Sequence, residues 1–208
     1  MKIIPVIIFA CFFVSVSAQQ PEEQFIRKHL VRTTMSIVPA YNFKDDLKNV
    51  HLNGNLEYYM DNRVSVRGDA NYMLGSSGLT TDSIGLKDNI SVMLGSVFHL
   101  PSKGHFDPYF ILQPGIAYTS SFREKYTIGT ESNSVKTTYY AGTVSPLASA
   151  GLGFNYYFQR FAHLFVETRY VYGRHLSEAP APVLLQELRI TFGLGFNVFA
   201  AKEKRKPV

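Results

Sequence analysis

Tryptophan is absent and cysteine occurs once, at Cys11. That cysteine sits in the opening stretch "MKIIPVIIFACFFVSVSA", where Lys2 precedes an apolar run from Ile3 to Val14 and small residues end in Val16-Ser17-Ala18. This three-part pattern is that of a secretory signal peptide, with cleavage expected after Ala18. The apolar run is about 12 residues, too short to cross a bilayer as a helix. Phe12 to Val14 continue it past Cys11, which argues against lipid attachment there. An exported chain that has lost its one thiol cannot be stapled by disulfides, so the fold itself must supply stability.

Other absences narrow the function. No 18-residue apolar run follows the signal, so a transmembrane helix is not expected. The six histidines are scattered without metal-ligand spacing. The glycine-rich stretches "GLGFN" and "GSSGLT" do not sit in a strand-to-helix turn that would cradle phosphate. No metal or other cofactor is therefore expected. The net charge of +5 is weighted toward the end "KEKRK", Lys202 to Lys206. The body is close to neutral, which argues against a nucleic-acid partner.

What is present is aromatic residues, 13 Tyr and 16 Phe, and a period of two. In "RVSVRGDANYML", Arg63, Ser65, Arg67, Asp69 and Asn71 alternate with Val64, Val66, Gly68, Ala70, Tyr72 and Leu74. That is a β-strand with one polar and one apolar face. The same split recurs in eight segments: Leu30–Tyr41, Val50–Met60, Arg63–Leu74, Ile90–Leu100, Phe106–Tyr118, Pro146–Phe158, Ala162–Gly173 and Leu185–Phe199. In the fourth to sixth, apolar residues also occur on the second face. Short links (Asp61-Asn62, "PSKGH", Gln159-Arg160) alternate with long polar ones ("NFKDDLKN", "GSSGLTTDSIGLK", residues 119–145, "GRHLSEAPAP"). An up-and-down meander with one short-looped and one long-looped end fits this.

Alternation does not say which face is inside. The segments run roughly 10–14 residues, longer than the usual 5–6 of soluble sheets and long enough to cross a bilayer at a tilt. The polar face carries Arg32, Glu57, Arg67, Asp69, Glu167, Arg169, Glu187 and Arg189, with Gly95, Gly115, Gly151, Gly153, Gly193 and Gly195. Small residues and pairable charges suit a narrow interior. Tyr and Phe gather near the segment ends on the apolar face, where interfacial girdles lie. The expected fold is thus all-β: an eight-stranded antiparallel up-and-down transmembrane β-barrel. Residues 1–18 read as signal, 19–28 as a periplasmic N-terminal segment, 29–199 as the barrel and 200–208 as a basic periplasmic tail. The acids Glu57, Asp69, Glu167 and Glu187 are expected to pair with Arg32, Arg67, Arg169 and Arg189 in the lumen.

The runs "NLEYYMDNRVSVRGDANYML", "PYFILQPGIAY" and "AGLGFNYYFQRFAHLFVETRYVYG" resemble the eight-stranded outer-membrane β-barrel family, the OmpA-like and OmpW-like proteins. In style they are nearest the short versions of Bacteroidetes-type bacteria. The resemblance covers roughly residues 29–199. Thr191, Gly193, Phe196 and Val198 resemble the C-terminal targeting signal of such barrels, although a basic tail follows Phe199 here. The resemblance implies residence in the outer membrane of a Gram-negative cell. The implied partners are membrane lipid, lipopolysaccharide and the barrel-insertion machinery, and a monomer is expected. A structural or interaction role follows, with residues 119–145, including Tyr126, Tyr139 and Tyr140, as the contact loop. Two alternatives stand beside it. One is an OmpW-type small-solute channel, for which Met93, Val97, Ile111 and Leu147 leave the inner face partly apolar. The other is an enzyme: outer-membrane lipid A deacylases of this size use a His and a Ser two apart plus a later Glu, matched by His175, Ser177 and Glu187. Their motif continues with Asn after the Ser, whereas Glu178 stands here. No enzymatic activity is expected. A soluble lipocalin would carry a Gly-x-Trp start, which a chain without tryptophan lacks.

Overall fold

Eight strands follow one another in chain order: β1 (Leu30–Asn42), β2 (Leu47–Tyr59), β3 (Val64–Ser77), β4 (Ile84–His99), β5 (Phe106–Ile128), β6 (Asn133–Gln159), β7 (Ala162–Gly173) and β8 (Glu187–Phe199). The structure, a computed structural model, describes residues 25, 28–44, 46–78, 84–102, 104–128, 133–176 and 184–199. Residues 1–18, read above as a signal, residues 200–208 and Ser177 lie outside the described residues. Each strand pairs antiparallel with the next, and β1 pairs with β8 from Leu30↔Phe199 to Tyr41↔Leu188, which closes the barrel. Closure leaves no open edge in the wall.

Burial follows the period of two. In β2, Leu47, Asn49, His51, Asn53, Asn55, Glu57 and Tyr59 are buried, and the residues between them face outward. The outward set is apolar: Met35, Ile37, Leu56, Tyr72, Val92, Leu94, Leu112, Leu152, Phe192 and Val198 are all exposed large hydrophobics. A continuous belt of this kind is stable only against lipid. Tyr58, Phe106, Tyr156 and Phe158 at one end of the belt, and Tyr72, Tyr118 and Tyr172 at the other, flank it on the same outer face. No helix of the described residues is long and apolar enough to cross a membrane.

Glycines let the narrow interior close. A Cβ at Gly95 would lie 2.1 Å from the Leu112 carbonyl oxygen, a backbone contact that cannot give way. At Gly153 it would lie 2.5 Å from Cζ of Tyr109, so the missing side chain is what admits that ring to the lumen.

The link pattern differs from the sequence expectation in three places. The link after β1 is residues 43–46, short rather than long, because Leu47 and Lys48 continue the ladder opposite Asn42 and Tyr41. β4 begins at Ile84, inside the stretch expected to be loop. The largest correction concerns residues 119–145. They are not a loop but the upper part of a β5–β6 hairpin, paired from Thr119↔Thr143 to Ile128↔Asn133. Its register puts Phe122, Tyr126, Val135 and Tyr139 on one face and Arg123, Lys125 and Lys136 on the other, so an alternation runs through a stretch whose charges made it read as loop. Between Thr119↔Thr143 and Ser121↔Tyr140 the register shifts by one, so Ala141 and Gly142 form a bulge in β6 opposite Ser120, while β5 stays paired with β4 up to Ile84↔Arg123.

Candidate functional site

The eight lumen charges named from the sequence are all buried, each at 3% exposure or less. The β-pleat aims them inward, and barrel closure decides which ones meet. They form three groups along the axis.

In the middle, Glu167 is the hub. It accepts hydrogen bonds from Arg67 (2.8 Å), Tyr109 (2.9 Å) and Arg169 Nε (3.0 Å). Asp69 accepts from Arg67 at 3.1 Å and from Gln113 at 2.6 Å, and Gln113 in turn accepts from Arg169 at 2.8 Å. Two arginines thus face two carboxylates, with a neutral amide completing the ring. The "RGD" at residues 67–69 is therefore interior, with both charges engaged.

At the short-turn end, Arg32 donates to Glu57 at 2.5 Å and lies 3.6 Å from Asp107. His99 sits between the same carboxylates, with Nε2 3.1 Å from Glu57 and Nδ1 2.7 Å from Asp107. Asn155 and Tyr157 also donate to Asp107, at 2.7 and 3.2 Å. Phe25 stacks on Tyr157 with ring centroids 5.5 Å apart and covers this mouth.

Toward the other end, Arg189 Nε donates to Glu187 at 2.9 Å, Asn49 donates to it at 2.6 Å, and His51 Nε2 lies 3.2 Å from it. Beside this group, Met73, Leu86, Met93, Ala117, Leu147, Val171 and Leu185 form a buried apolar cluster. Val97, Ile111 and Tyr109 form a second one. The apolar inner residues read as a channel feature thus pack against each other. A cavity among Asn53, Asn71, Glu167, Arg169, Arg189 and Thr191 has a volume of about 10 Å³, room for about one water.

Asp107, His99, His51, Tyr109 and Gln113 were not singled out in the sequence. Alternation alone places Asp107 and His99 inward, because Phe106 and Phe98 face out. Their joint role needs the closed barrel. Thr191 is buried and faces the lumen, Gly193 is half-buried, and Phe196 and Val198 face outward.

The arrangement required of a hydrolase is not built here from described residues. His175 Nδ1 hydrogen-bonds Thr119 Oγ1, whereas Glu187 is engaged by Arg189, Asn49 and His51. Burial pushes the His175 imidazole below its ordinary pKa. Among the described residues, no cluster of His, Cys, Asp or Glu has the makings of a metal site.

No family model and no curated protein matches the chain by sequence. Solved structures do match, and they define the class: the fold is that of eight-stranded transmembrane β-barrels. Neisserial surface protein A matches with a TM-score of 0.56 and 13% identity, over 80% of this chain and 95% of that one. The outer membrane protein OprG from Pseudomonas aeruginosa matches with a TM-score of 0.56 and 13% identity, over 85% of this chain and 99% of that one. At this identity the likeness concerns the fold. Neither match favours a Bacteroidetes origin.

Proposed function

We propose that this protein is a structural or interaction barrel of the outer membrane, without catalytic activity. Its lumen is plugged, and its β5–β6 hairpin serves as contact surface on the outside. The observation that carries the reading is the Arg67–Glu167–Arg169–Asp69 group with Gln113, whose side chains fill the section of the barrel and leave a cavity of about 10 Å³ beside them. An eight-stranded barrel is just wide enough for its side chains to fill it. A path for solute would have to break several charge-assisted hydrogen bonds at once.

In this reading the chain is exported through a cleaved signal, inserted by the barrel-assembly machinery and held as a monomer among lipid and lipopolysaccharide. The C-terminal residues Thr191, Gly193, Phe196 and Val198 present the targeting signal. The Bacteroidetes-type assignment rests on the style of the sequence runs alone. The decisive experiment is conductance of the purified protein in planar bilayers. A silent membrane is expected, and reproducible conductance steps would replace this reading with the small-solute channel. Lipid A mass spectra with and without the protein are expected to be identical, and a lost acyl chain would restore the enzyme reading.

A further inference from the structure

β6 is longer than its neighbour on one side. Its ladder with β7 runs from Gln159↔Ala162 up to Leu147↔Gly173 and stops there. Its ladder with β5 continues up to Ile128↔Asn133. Beyond Leu147, the β7 side of β6 receives a hydrogen bond from the Leu176 amide to Ser145 Oγ at 3.0 Å. From Val135 to Val144, no strand among the described residues lies against that side of β6. Residues 177–183 are outside the described set, and their Pro180 and Pro182 have no N–H to offer a ladder. The segment "VKTTYYAGTV" is rich in Val, Thr and Tyr, the residues that favour strands. An open edge of this composition is a template for one more strand.

The register supplies the charge of the strand that fits. Lys125 and Lys136 are Cα partners, so their side chains share one face of the hairpin. Arg123, two residues from Lys125 and opposite Thr138, shares that face too. Like charges directly opposite each other in a ladder are unfavourable. Among the described residues no carboxylate bridges any of the three. Glu124 points to the other face, by alternation. Carboxylates on an added strand, placed opposite Lys136, would offset the repulsion.

A second copy of this chain does not suit the edge. Two barrels in one membrane are related by an axis along its normal, so their hairpins point the same way. Their β6 edges would meet as parallel strands with Lys136 beside Lys136. Resting on the interaction reading above, we propose that the β6 edge at residues 135–140, beyond the bulge at Ala141 and Gly142, docks an extended acidic segment of a partner protein. That segment runs antiparallel to β6, with Asp or Glu at alternate positions on the Lys125–Lys136 face and β-branched residues between.

The test uses the whole protein in lipid nanodiscs and a fluorescent nine-residue peptide of alternating Glu and Val. Two further versions carry N-methyl groups on either the odd or the even residues, which removes backbone donors on one side of the strand and leaves the charge intact. Saturable binding is expected, together with slowed hydrogen exchange at residues 135–140. One N-methylated version should bind at least tenfold more weakly than the other. The double variant Lys125→Glu, Lys136→Glu, checked for a folded barrel by heat-modifiable gel migration, should lose at least tenfold in affinity.

No binding to the native protein would overturn the proposal. So would equal binding of both N-methylated peptides, which would mark a basic surface that takes any polyanion, glycans included. Unchanged affinity in the charge-reversed variant would also overturn it. These results are separate from those for the parent reading: a silent bilayer with no peptide binding leaves the plugged barrel standing, whereas conductance steps remove it whatever the peptide does.

Discussion

Leu152 and Tyr139 lie on the same strand and are almost equally exposed, at 68% and 65%. One strand nevertheless crosses two different solvents. Leu152 belongs to the apolar belt, flanked by Phe110 on β5 and Thr168 on β7. Tyr139 stands in the projecting hairpin, opposite Phe122, with the Lys87 ammonium 5.0 Å from its ring centre. In the belt β6 has a neighbour on both sides; in the hairpin it has one among the described residues. The difference has a physical cause. Lipid offers no hydrogen bonds, so each backbone group there must be paired within the wall. Above the belt water can satisfy the free side, and β6 can shed its β7 neighbour. At roughly 3.3 Å per residue, the stretch of β5 from Tyr118 to Ile128 reaches on the order of 30 Å along the strand.

Substitutions can break or sharpen this contrast. The largest effect is expected inside the wall. Glu167→Gln leaves Arg67 and Arg169 facing a neutral group in the lumen and should cost about 3–5 kcal/mol. Urea unfolding in lipid vesicles, followed by heat-modifiable gel migration, measures it; an unchanged midpoint would refute the hub role of Glu167. Next, Leu152→Arg places a charge against lipid and should cost about 2–4 kcal/mol by the same assay.

Where barrel meets hairpin the effect shrinks. Thr119→Val deprives the buried His175 ring of its partner and should cost about 1 kcal/mol. His175 also carries a pH signature. Its folded-state pKa is lowered, so the unfolded chain binds the proton more readily. Its contribution is complete above about pH 6.5 and declines as the pH falls below that value. Replacing His175 with Gln should flatten that part of the stability–pH curve. Smallest of all, Tyr139→Arg should cost about 0.5 kcal/mol, the worth of its exposed contact with the Lys87 ammonium, since it meets no lipid. Equal costs for Leu152→Arg and Tyr139→Arg would place both residues in one medium and undo the comparison.

The same contrast explains what could be read from the chain. Alternation in Arg63–Leu74 and Ala162–Gly173 is unmistakable, because one face meets lipid and the other a charged lumen. β7 runs over the same residues in sequence and structure. In residues 119–145 Arg123, Glu124, Lys125 and Lys136 stand among Ser and Thr, so a weaker alternation with Phe122, Tyr126, Val135 and Tyr139 reads as loop. The lumen charges were readable one by one, since each sits at an inward position of a strand whose outward set is mostly apolar. Asp107 carried the same signal beside Phe106, but on a strand whose inner face is otherwise Tyr109, Ile111 and Gln113 it did not stand out.

By itself the sequence determined that eight two-faced strands would put charge on one side and grease on the other. Side-chain direction alternates by geometry, so that much needs no partner. Only the tertiary structure decided who meets whom. Arg67 reaches Glu167 across 100 positions of chain, and His99 stands between Glu57 and Asp107, because closure and register bring distant strands to one level of a narrow lumen. Closure also decided where the β6–β7 ladder ends, at Leu147↔Gly173, while the β5–β6 ladder runs on to Ile128↔Asn133.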